Sequence, residues 1–170
     1  MIEYISRMRR HIGQEPLLLA GAGVFIYKDD QILLQKRRDN GCWANHGGCV
    51  EIGESVEDTA RRELFEETGL IAGDLELLGV FSGKDMLYTY PNGDQVCIVG
   101  IDYLCCDFSG TPLEETDETT ELAWFPFDAL PDAISPPVVR SLRKCVEVLK
   151  ARRGGAEVEV VSLSSNAIGE

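Results

Sequence analysis

Three glutamates fall within five positions of the stretch RRELFEETGL, residues 61–70, in a chain that is already acidic. On an α-helix each residue advances by about 100°, so the side chains of Glu63, Glu66 and Glu67 share an arc of about 100°. Arg62 lies on the flank of that arc. Carboxylates this close, with few basic partners, repel one another, and oxygen ligands of this kind suit a hard divalent cation such as Mg²⁺. The spacing therefore predicts a candidate metal site.

A solvated charged face is the ordinary explanation for a glutamate-rich helix, and the apolar residues of the same segment argue against it. Val56, Ala60, Leu64 and Thr68 recur every four residues and form the stripe expected to be buried. The middle of this stripe lies only about 90° from the carboxylate arc. The glutamates are therefore predicted to border the core, where a cation can be held between helix and loop.

Local signals set the ends of this helix, which we predict to run from about Val56 to Thr68. Ser55 is a suitable N-cap, since its hydroxyl can accept a hydrogen bond from a free backbone N–H group. Glu57 favours the positive end of the helix dipole, and Gly69 supplies the stop.

The remaining elements follow from apolar runs separated by turn-forming residues. Asp29 and Asp30 predict a hairpin turn, and the stretch TYPNGD at residues 89–94 predicts a second reversal. Residues 37–48 are predicted to be a loop because they are rich in turn formers, and residues 110–121 an acidic loop. Strands are predicted at residues 17–27, 31–37, 75–82, 95–107 and 121–127, and a second helix at residues 136–152. One domain is expected over residues 1–152, followed by a tail, residues 153–170, that is either mobile or adds a strand at 157–163.

Composition excludes several classes of protein. A chain of 170 residues that is 44% hydrophobic suits one globular domain, and its formal net charge of −13 argues against a polymer of nucleic acid or an anionic membrane as partner. No apolar run approaches the roughly 20 residues of a membrane-spanning helix. The six cysteines form no CxxC pair and only two histidines accompany them, so neither zinc nor a disulfide framework is expected. Without a secretory signal at the N-terminus, the predicted location is the cytoplasm.

The spacing around the glutamates matches a known signature. From Gly48 the chain has five residues, then Glu54, seven residues, and Arg62-Glu63-Leu64, followed by the segment FEETGL. This fits every fixed position of the Nudix box, G-x5-E-x7-R-E-U-x-E-E-x-G-U, where U is a bulky aliphatic residue. The chain therefore resembles the MutT-like Nudix hydrolase superfamily. The resemblance extends to about residue 150 and implies an α/β (α+β) Nudix fold, in which a mixed β-sheet lies between helices and carries a loop–helix–loop.

The resemblance also implies an activity. Nudix hydrolases use Mg²⁺, or Mn²⁺ as a substitute, and a water nucleophile to cleave nucleoside diphosphates linked to another group. By resemblance, Glu66 and Glu67 are the principal metal ligands, Glu63 is a further ligand or the base for water, and the Gly47 carbonyl is another contact. The residues expected to carry catalysis are Glu63, Glu66, Arg62 and Glu54. Arg62 orients the glutamates, and Glu54 supports the loop–helix–loop without binding the metal itself.

One more carboxylate often joins the metal site from a late loop in this family. Glu118, six residues before Trp124, and Glu121 are the candidates, with Glu118 preferred. Ordinary loop charge is the alternative explanation for both residues.

Substrate-binding residues are expected close to the box. Arg37, at the end of a predicted strand, is a candidate to contact a phosphate, and Tyr88 a candidate to stack on a base. Trp43 either lines the substrate groove or packs beneath the loop. His46 stands next to Asn45 where many relatives carry proline, and either contacts a phosphate or is a tolerated loop residue.

The sequence does not identify the nucleotide that is hydrolysed. Oxidised nucleoside triphosphates, ADP-ribose and dinucleoside polyphosphates are all candidates, and the proline that accompanies ADP-ribose hydrolases is missing at its spacing. A non-catalytic Nudix module that senses a nucleotide and an acidic domain that merely binds ions are the rival classes. A homodimer is a further expectation, because dimers are common among Nudix hydrolases.

Overall fold

The computed structural model describes residues 2–113, 116–156 and 161–163. Two 3₁₀ turns, Lys84–Met86 and Pro136–Val138, accompany the helices and strands. In chain order these are α1 (Ile2–Ile12), β1 (Leu17–Lys28), β2 (Gln31–Arg37), β3 (Trp43–Ala44), β4 (His46–Cys49), α2 (Val56–Thr68), β5 (Ile71–Ala72), β6 (Leu75–Phe81), β7 (Leu87–Thr89), β8 (Gln95–Cys105), β9 (Phe108–Ser109), β10 (Thr119–Pro126), α3 (Val139–Arg153) and β11 (Val161–Leu163).

The main sheet has the strand order β10-β2-β1-β8-β6-β11. Strands β1 and β8 run parallel over ten residue pairs, from Leu17 with Val96 to Ile26 with Cys105, while the other pairs are antiparallel. The middle of β1, from Gly21 to Val24, also pairs with β4, and its last residues pair with β2. The sheet is therefore mixed, as expected, and it divides along β1.

The hairpin between β1 and β2 is confirmed. Asp29 and Asp30 have positive φ angles of 50° and 62°, which a two-residue type I′ turn requires at both central positions. Aspartate tolerates this left-handed conformation better than most residues, which explains why two of them serve here without glycine.

Residues 37–48, predicted to be a loop, instead contain strands β3 and β4. The turn-forming composition concealed them because β4 is held by close backbone approach and needs no apolar side chains. A Cβ atom on Gly47 would lie 2.5 Å from the carbonyl oxygen of Ala22 on β1, so only glycine permits this pairing. Strand β4 forms one wall of the candidate active site described below.

Two hydrophobic clusters lie on opposite faces of the sheet. Leu33 of β2 packs in the cluster that contains Ala60 and Leu64 of α2, whereas its neighbours Ile32 and Leu34 pack in the cluster that contains α3. This alternation follows from the period of two along a strand. The predicted arrangement of a sheet between helices is confirmed.

Predicted strand and helix ends differ from the observed ones by a few residues. Strand β8 stops at Cys105, β10 starts at Thr119, and α3 starts at Val139 after the 3₁₀ turn at the two prolines. In the tail, β11 pairs antiparallel with β6, while residues 157–160 of the predicted added strand lie outside the described residues. Within the described residues, no helix has the length and apolar character needed to cross a membrane.

Candidate active site

Helix α2 begins and ends at the predicted residues. The hydroxyl of Ser55 accepts a hydrogen bond of 3.1 Å from the Asp58 N–H group. Gly69, at φ 73°, donates its N–H group to the Phe65 carbonyl oxygen at 2.8 Å. These two caps fix the ends of the helix, and the packing of Ala60 and Leu64 in the core fixes its rotation, and with it the direction of the glutamates.

The three glutamates do not share one environment. The side chains of Glu63 and Glu67 are each only 5% exposed, whereas the side chain of Glu66 is 57% exposed. The prediction that carboxylates border the core is therefore confirmed for two of the three. Glu66 lies on the solvent side of the same cleft.

Arg62 joins the carboxylates around it. Its Nε donates to Glu54 Oε1 at 2.8 Å and its Nη2 donates to Glu54 Oε2 at 2.9 Å. Its Nη1 donates to Glu63 Oε1 at 2.7 Å and to Glu66 Oε2 at 3.3 Å. The bidentate pair with Arg62 lowers the pKa of Glu54 to about 2, helped by a hydrogen bond of 2.6 Å from the Thr59 hydroxyl. This geometry agrees with the orienting roles expected for Arg62 and Glu54.

Glu67 is the most desolvated carboxylate of the cluster. Burial raises its pKa to about 8, and the nearby charges of Glu63 and Glu118 act in the same direction. Its Oε2 accepts a hydrogen bond of 3.0 Å from the Gly47 N–H group. A carboxylate buried among like charges gains from any cation that reaches it.

Glycine at position 48 allows the glutamates to meet β4. A Cβ atom there would lie 2.3 Å from Glu63 Oε1, so any other residue would push this carboxylate away. The first glycine of the Nudix box is thereby explained as a packing requirement of Glu63.

Of the two late-loop candidates, Glu118 faces the carboxylate cluster. It lines a cleft of about 390 Å³ together with the helix glutamates, and its charge contributes to the raised pKa of both Glu63 and Glu67. Glu121 instead lies 3.6 Å from the ammonium group of Lys36 and does not line the cleft.

The donor set fits a hard divalent cation in type and charge. Arg62 is the cationic side chain that lines the cleft among the described residues, and the carboxylates that line it are those of Glu51, Glu63, Glu66, Glu67, Asp117 and Glu118. Within those residues, no three acidic, histidine or cysteine side chains are already close enough to hold an ion. The charge balance and the buried Glu67 thus suit Mg²⁺ or Mn²⁺, with the carboxylates now held apart by their bonds to protein groups.

On the other side of β4 the sheet forms a second cavity, which we call the strand cavity. Its volume is about 130 Å³, and Arg37 and Tyr88, both expected to bind substrate, line it. Arg37 is paired with Asp39 through two hydrogen bonds of 2.9 and 2.8 Å. The full lining consists of Gly21, Ala22, Gly23, Arg37, Ala44, Asn45, Gly47, Gly48, Cys49, Met86, Tyr88, Tyr90, Ile98, Gly100, Asp102, Ser135, Pro137 and Val138.

Trp43 and His46 are both buried, and neither lines the cleft or the strand cavity. Trp43 lies in the cluster that contains α3, where its ring meets Phe125 edge-on at 4.7 Å, which favours packing over a place in the substrate groove. His46 is fully buried in β4, with Nε2 3.3 Å from the Leu33 carbonyl oxygen. Burial lowers its pKa to about 4, so the ring is neutral near pH 7 and cannot supply a cation to a phosphate.

Sequence reasoning missed a polar pair in the strand cavity. Asn45 Nδ2 donates to Asp102 Oδ1 at 2.8 Å. Burial raises the pKa of Asp102, and hydrogen bonds from Ser141 and Asn45 oppose the shift. The available signal was an acidic residue in the middle of the apolar run of residues 95–107.

Comparisons with known proteins agree with this geometry. The NUDIX domain family model matches residues 17–145. The ADP-ribose pyrophosphatase of Methanocaldococcus jannaschii is 43% identical over 109 residues, which are 62% of this chain and 60% of that protein. The NAD-capped RNA hydrolase NudC of Pseudomonas aeruginosa is 31% identical over 153 residues, which are 87% of this chain and 50% of NudC. The chain therefore spans only about half to three fifths of these two relatives.

A solved structure extends the similarity to the fold. The crystal structure of a MutT NUDIX hydrolase from Burkholderia pseudomallei superposes with a TM-score of 0.64 at 34% sequence identity. The superposition covers 75% of this chain and 97% of that one. The similarity in fold thus extends over three quarters of this chain.

Proposed function

The chain belongs to the Nudix family, and from that premise we propose that it hydrolyses a pyrophosphate bond in a nucleoside diphosphate linked to another group. The observation that carries the proposal is the carboxylate cluster, in which Glu67 is buried beside Glu63 and faces Glu118 across one cleft. Such a cluster is costly without a cation, and the cation it prefers is the one that this reaction needs.

Each side chain has a role in the proposal. Glu66, Glu67, Glu63 and the Gly47 carbonyl would hold Mg²⁺ or Mn²⁺, with Glu118 as the late-loop ligand. A bound divalent cation supplies charge neutralisation for the pyrophosphate oxygens and favours ionisation of water. Glu63, whose pKa is raised by burial, is placed either as a ligand or to accept the proton of the attacking water.

Arg62 and Glu54 act through the other carboxylates. The Arg62 guanidinium fixes the positions of Glu63 and Glu66, and the bidentate pair with Glu54 fixes the guanidinium. Phosphoryl transfer depends on positioning and charge compensation more than on covalent chemistry, so this rigid pair supports the reaction without touching substrate.

The substrate is expected to be a small nucleotide. Oxidised nucleoside triphosphates, ADP-ribose and dinucleoside polyphosphates remain the candidates, and the relative named for NAD-capped RNA leaves the exclusion of nucleic acid a prediction. The strand cavity, beside β4 and containing Arg37 and Tyr88, is where we expect the nucleoside to lie. Action in the cytoplasm and assembly as a homodimer also stay predictions.

Release of phosphate or pyrophosphate from these three substrate types, with Mg²⁺, with Mn²⁺ and with EDTA, tests the proposal. We expect metal-dependent turnover of at least one type, lowered by about 10²-fold or more in Glu66→Gln and in Glu67→Gln. Glu147→Gln, an exposed change on α3, is the matched control and should retain full turnover. Absence of turnover with every substrate would favour the nucleotide-sensing module, and near-normal turnover in both cluster variants would refute the assignment of the cluster.

A further inference from the structure

The strand cavity contains one carboxylate, Asp102, among the residues that line it. Asp102 lies in the middle of β8, opposite Gly23 of β1. Strand β1 pairs regularly with β8 through this point, and on the other side Gly79 of β6 pairs with Asp102 next to a shift in register, so the backbone that carries the carboxylate is held on two sides. A desolvated carboxylate is costly unless it has hydrogen-bond partners. Asp102 is therefore suited to bind the hydrogen-bond donors of a ligand in the cavity.

The pairing of Asp102 with Asn45 is built into the sheet. Asn45 Nδ2 donates to Asp102 Oδ1 at 2.8 Å, and the Asn45 carbonyl oxygen accepts a hydrogen bond of 3.0 Å from the Gln35 side chain. The pair lies directly over Gly23, where a Cβ atom would be 2.4 Å from Asn45 Nδ2 and 2.6 Å from Asp102 Oδ1. Glycine at position 23 is therefore needed for the amide and the carboxylate to meet.

The other walls of the cavity suit a flat ring. Tyr88 and Tyr90 meet edge to face at 5.0 Å, and the Tyr88 hydroxyl accepts a hydrogen bond of 3.1 Å from Asn40. Met86 and Ile98 add apolar surface. A mostly apolar cavity with a few fixed polar groups is the usual form of a small-molecule site.

The cavity is also in the right place for the base of a nucleotide. Gly47 and Gly48 line it on one side, and on their other side Gly47 donates to Glu67 and Gly48 packs against Glu63. A nucleotide that enters the cavity with its base can thus extend its phosphates past β4 to the carboxylate cluster.

Hydrogen bonds from Ser141 and Asn45 favour the ionised form of the Asp102 carboxylate, which accepts hydrogen bonds and donates none, and its two oxygens have room for further partners. The ligand edge that complements it carries two adjacent N–H donors. Guanine has such an edge in its N1–H and 2-amino groups, whereas adenine has one donor beside an acceptor. We propose that Asp102, positioned by Asn45, reads the Watson–Crick edge of a guanine-type base and makes the protein selective for guanine nucleotides.

This inference rests on the proposed function for the phosphate end of the ligand, but its test measures binding alone. GDP, IDP and ADP share ribose and diphosphate and differ only in the base, and IDP keeps N1–H while it lacks the 2-amino group. Titration calorimetry with Mg²⁺ should give a Kd for GDP at least about tenfold below that for ADP, with IDP between them, because hydrogen bonds to a charged acceptor are among the stronger ones.

Asp102→Asn changes the acceptor into an amide of the same shape, which complements the donor and acceptor of adenine. We expect the preference for GDP to disappear in this variant and the Kd for ADP to fall to or below that for GDP. Asp85→Asn makes the same change at an exposed position next to Met86, outside the cavity lining, and should keep the original ratio.

Equal affinities for GDP, IDP and ADP in the unaltered protein, or tighter binding of ADP, would overturn the inference, and this arm needs no variant to fold. Equal weakening of all three nucleotides by Asp102→Asn would also overturn it, because a ribose contact gives that result. Guanine preference without hydrolysis would leave the inference standing while the proposed function fails. Hydrolysis without base preference would support the proposed function and overturn the inference.

Discussion

The two sides of β4 are assembled in different ways. On the side of α2, the carboxylate cluster comes mostly from residues 54–67 and is dense in charge. On the other side, the strand cavity brings together β1, β4, β7, β8 and the turn before α3, and it has one carboxylate and one guanidinium in its lining. In our proposals, the chemistry of the reaction is thus local in the chain, while recognition of the base depends on tertiary structure. A substitution in the carboxylate cluster should therefore leave the strand cavity unchanged, and the reverse should also hold.

The largest expected effect is on the free energy of unfolding of the metal-free protein, and it comes from the carboxylate cluster. The pKa of Glu67 is raised from 4.5 to about 8 in the folded chain, so the folded state prefers the protonated form. The stability that the protonated Glu67 contributes is fully present below pH 4.5. It falls as the pH rises, because the unfolded chain releases this proton first, and it is lost as the pH passes through 8. Urea unfolding of the metal-free protein should therefore lose about 3–4 kcal/mol between pH 5 and pH 8 relative to Glu67→Gln.

Added Mg²⁺ sharpens this prediction. The cation should restore most of the stability lost at pH 8 in the unaltered protein, because it binds the folded state. Asp102→Asn removes the carboxylate from the other side of β4 and should keep this response to Mg²⁺. A pH dependence that is the same with and without Glu67 would mean that the cluster is not desolvated as described.

The second effect is on turnover. Arg62→Lys keeps the charge but loses the fork that binds Glu54 with two hydrogen bonds while also contacting Glu63 and Glu66. The carboxylates then lose their common orientation, and kcat should fall by about 30-fold, which corresponds to about 2 kcal/mol.

The ratio of the Kd values for GDP and ADP serves as the control for Arg62→Lys. It should stay unchanged, because the guanidinium lies in the cleft and does not line the strand cavity. A shift in base preference would show that the two sides are coupled through β4, and would contradict the separation described above.

The burial of Glu63 and Glu67 could be predicted from the sequence because its determinants are local. Ser55 and Gly69 set the ends of α2, and the buried stripe that includes Ala60 and Leu64 sets the face that it turns to the core. The same angles could not show that Glu66 lies in solvent, because exposure depends on which elements surround the helix.

The strand cavity could not be predicted for a related reason. Asn45 and Asp102 are 57 positions apart and meet only because β1 pairs with both β4 and β8. The sequence predicts a loop at β4, since the pairing of this strand depends on the absence of a side chain at Gly47 and leaves no apolar pattern to recognise. Contacts made through backbone and glycine are invisible to hydrophobic periodicity.

The smallest effect separates the two late-loop carboxylates and tests how far the cluster extends beyond α2. Glu118→Gln should raise the Mg²⁺ concentration needed for half-maximal turnover and lower kcat by about tenfold, because Glu118 lines the cleft and its charge reaches Glu63 and Glu67. Glu121→Gln is the matched change three residues away. It breaks only an exposed ion pair with Lys36, worth less than about 1 kcal/mol, and should alter both quantities by less than about twofold. A larger loss from Glu121→Gln than from Glu118→Gln would place the fourth carboxylate on β10 and move the edge of the cluster toward β2.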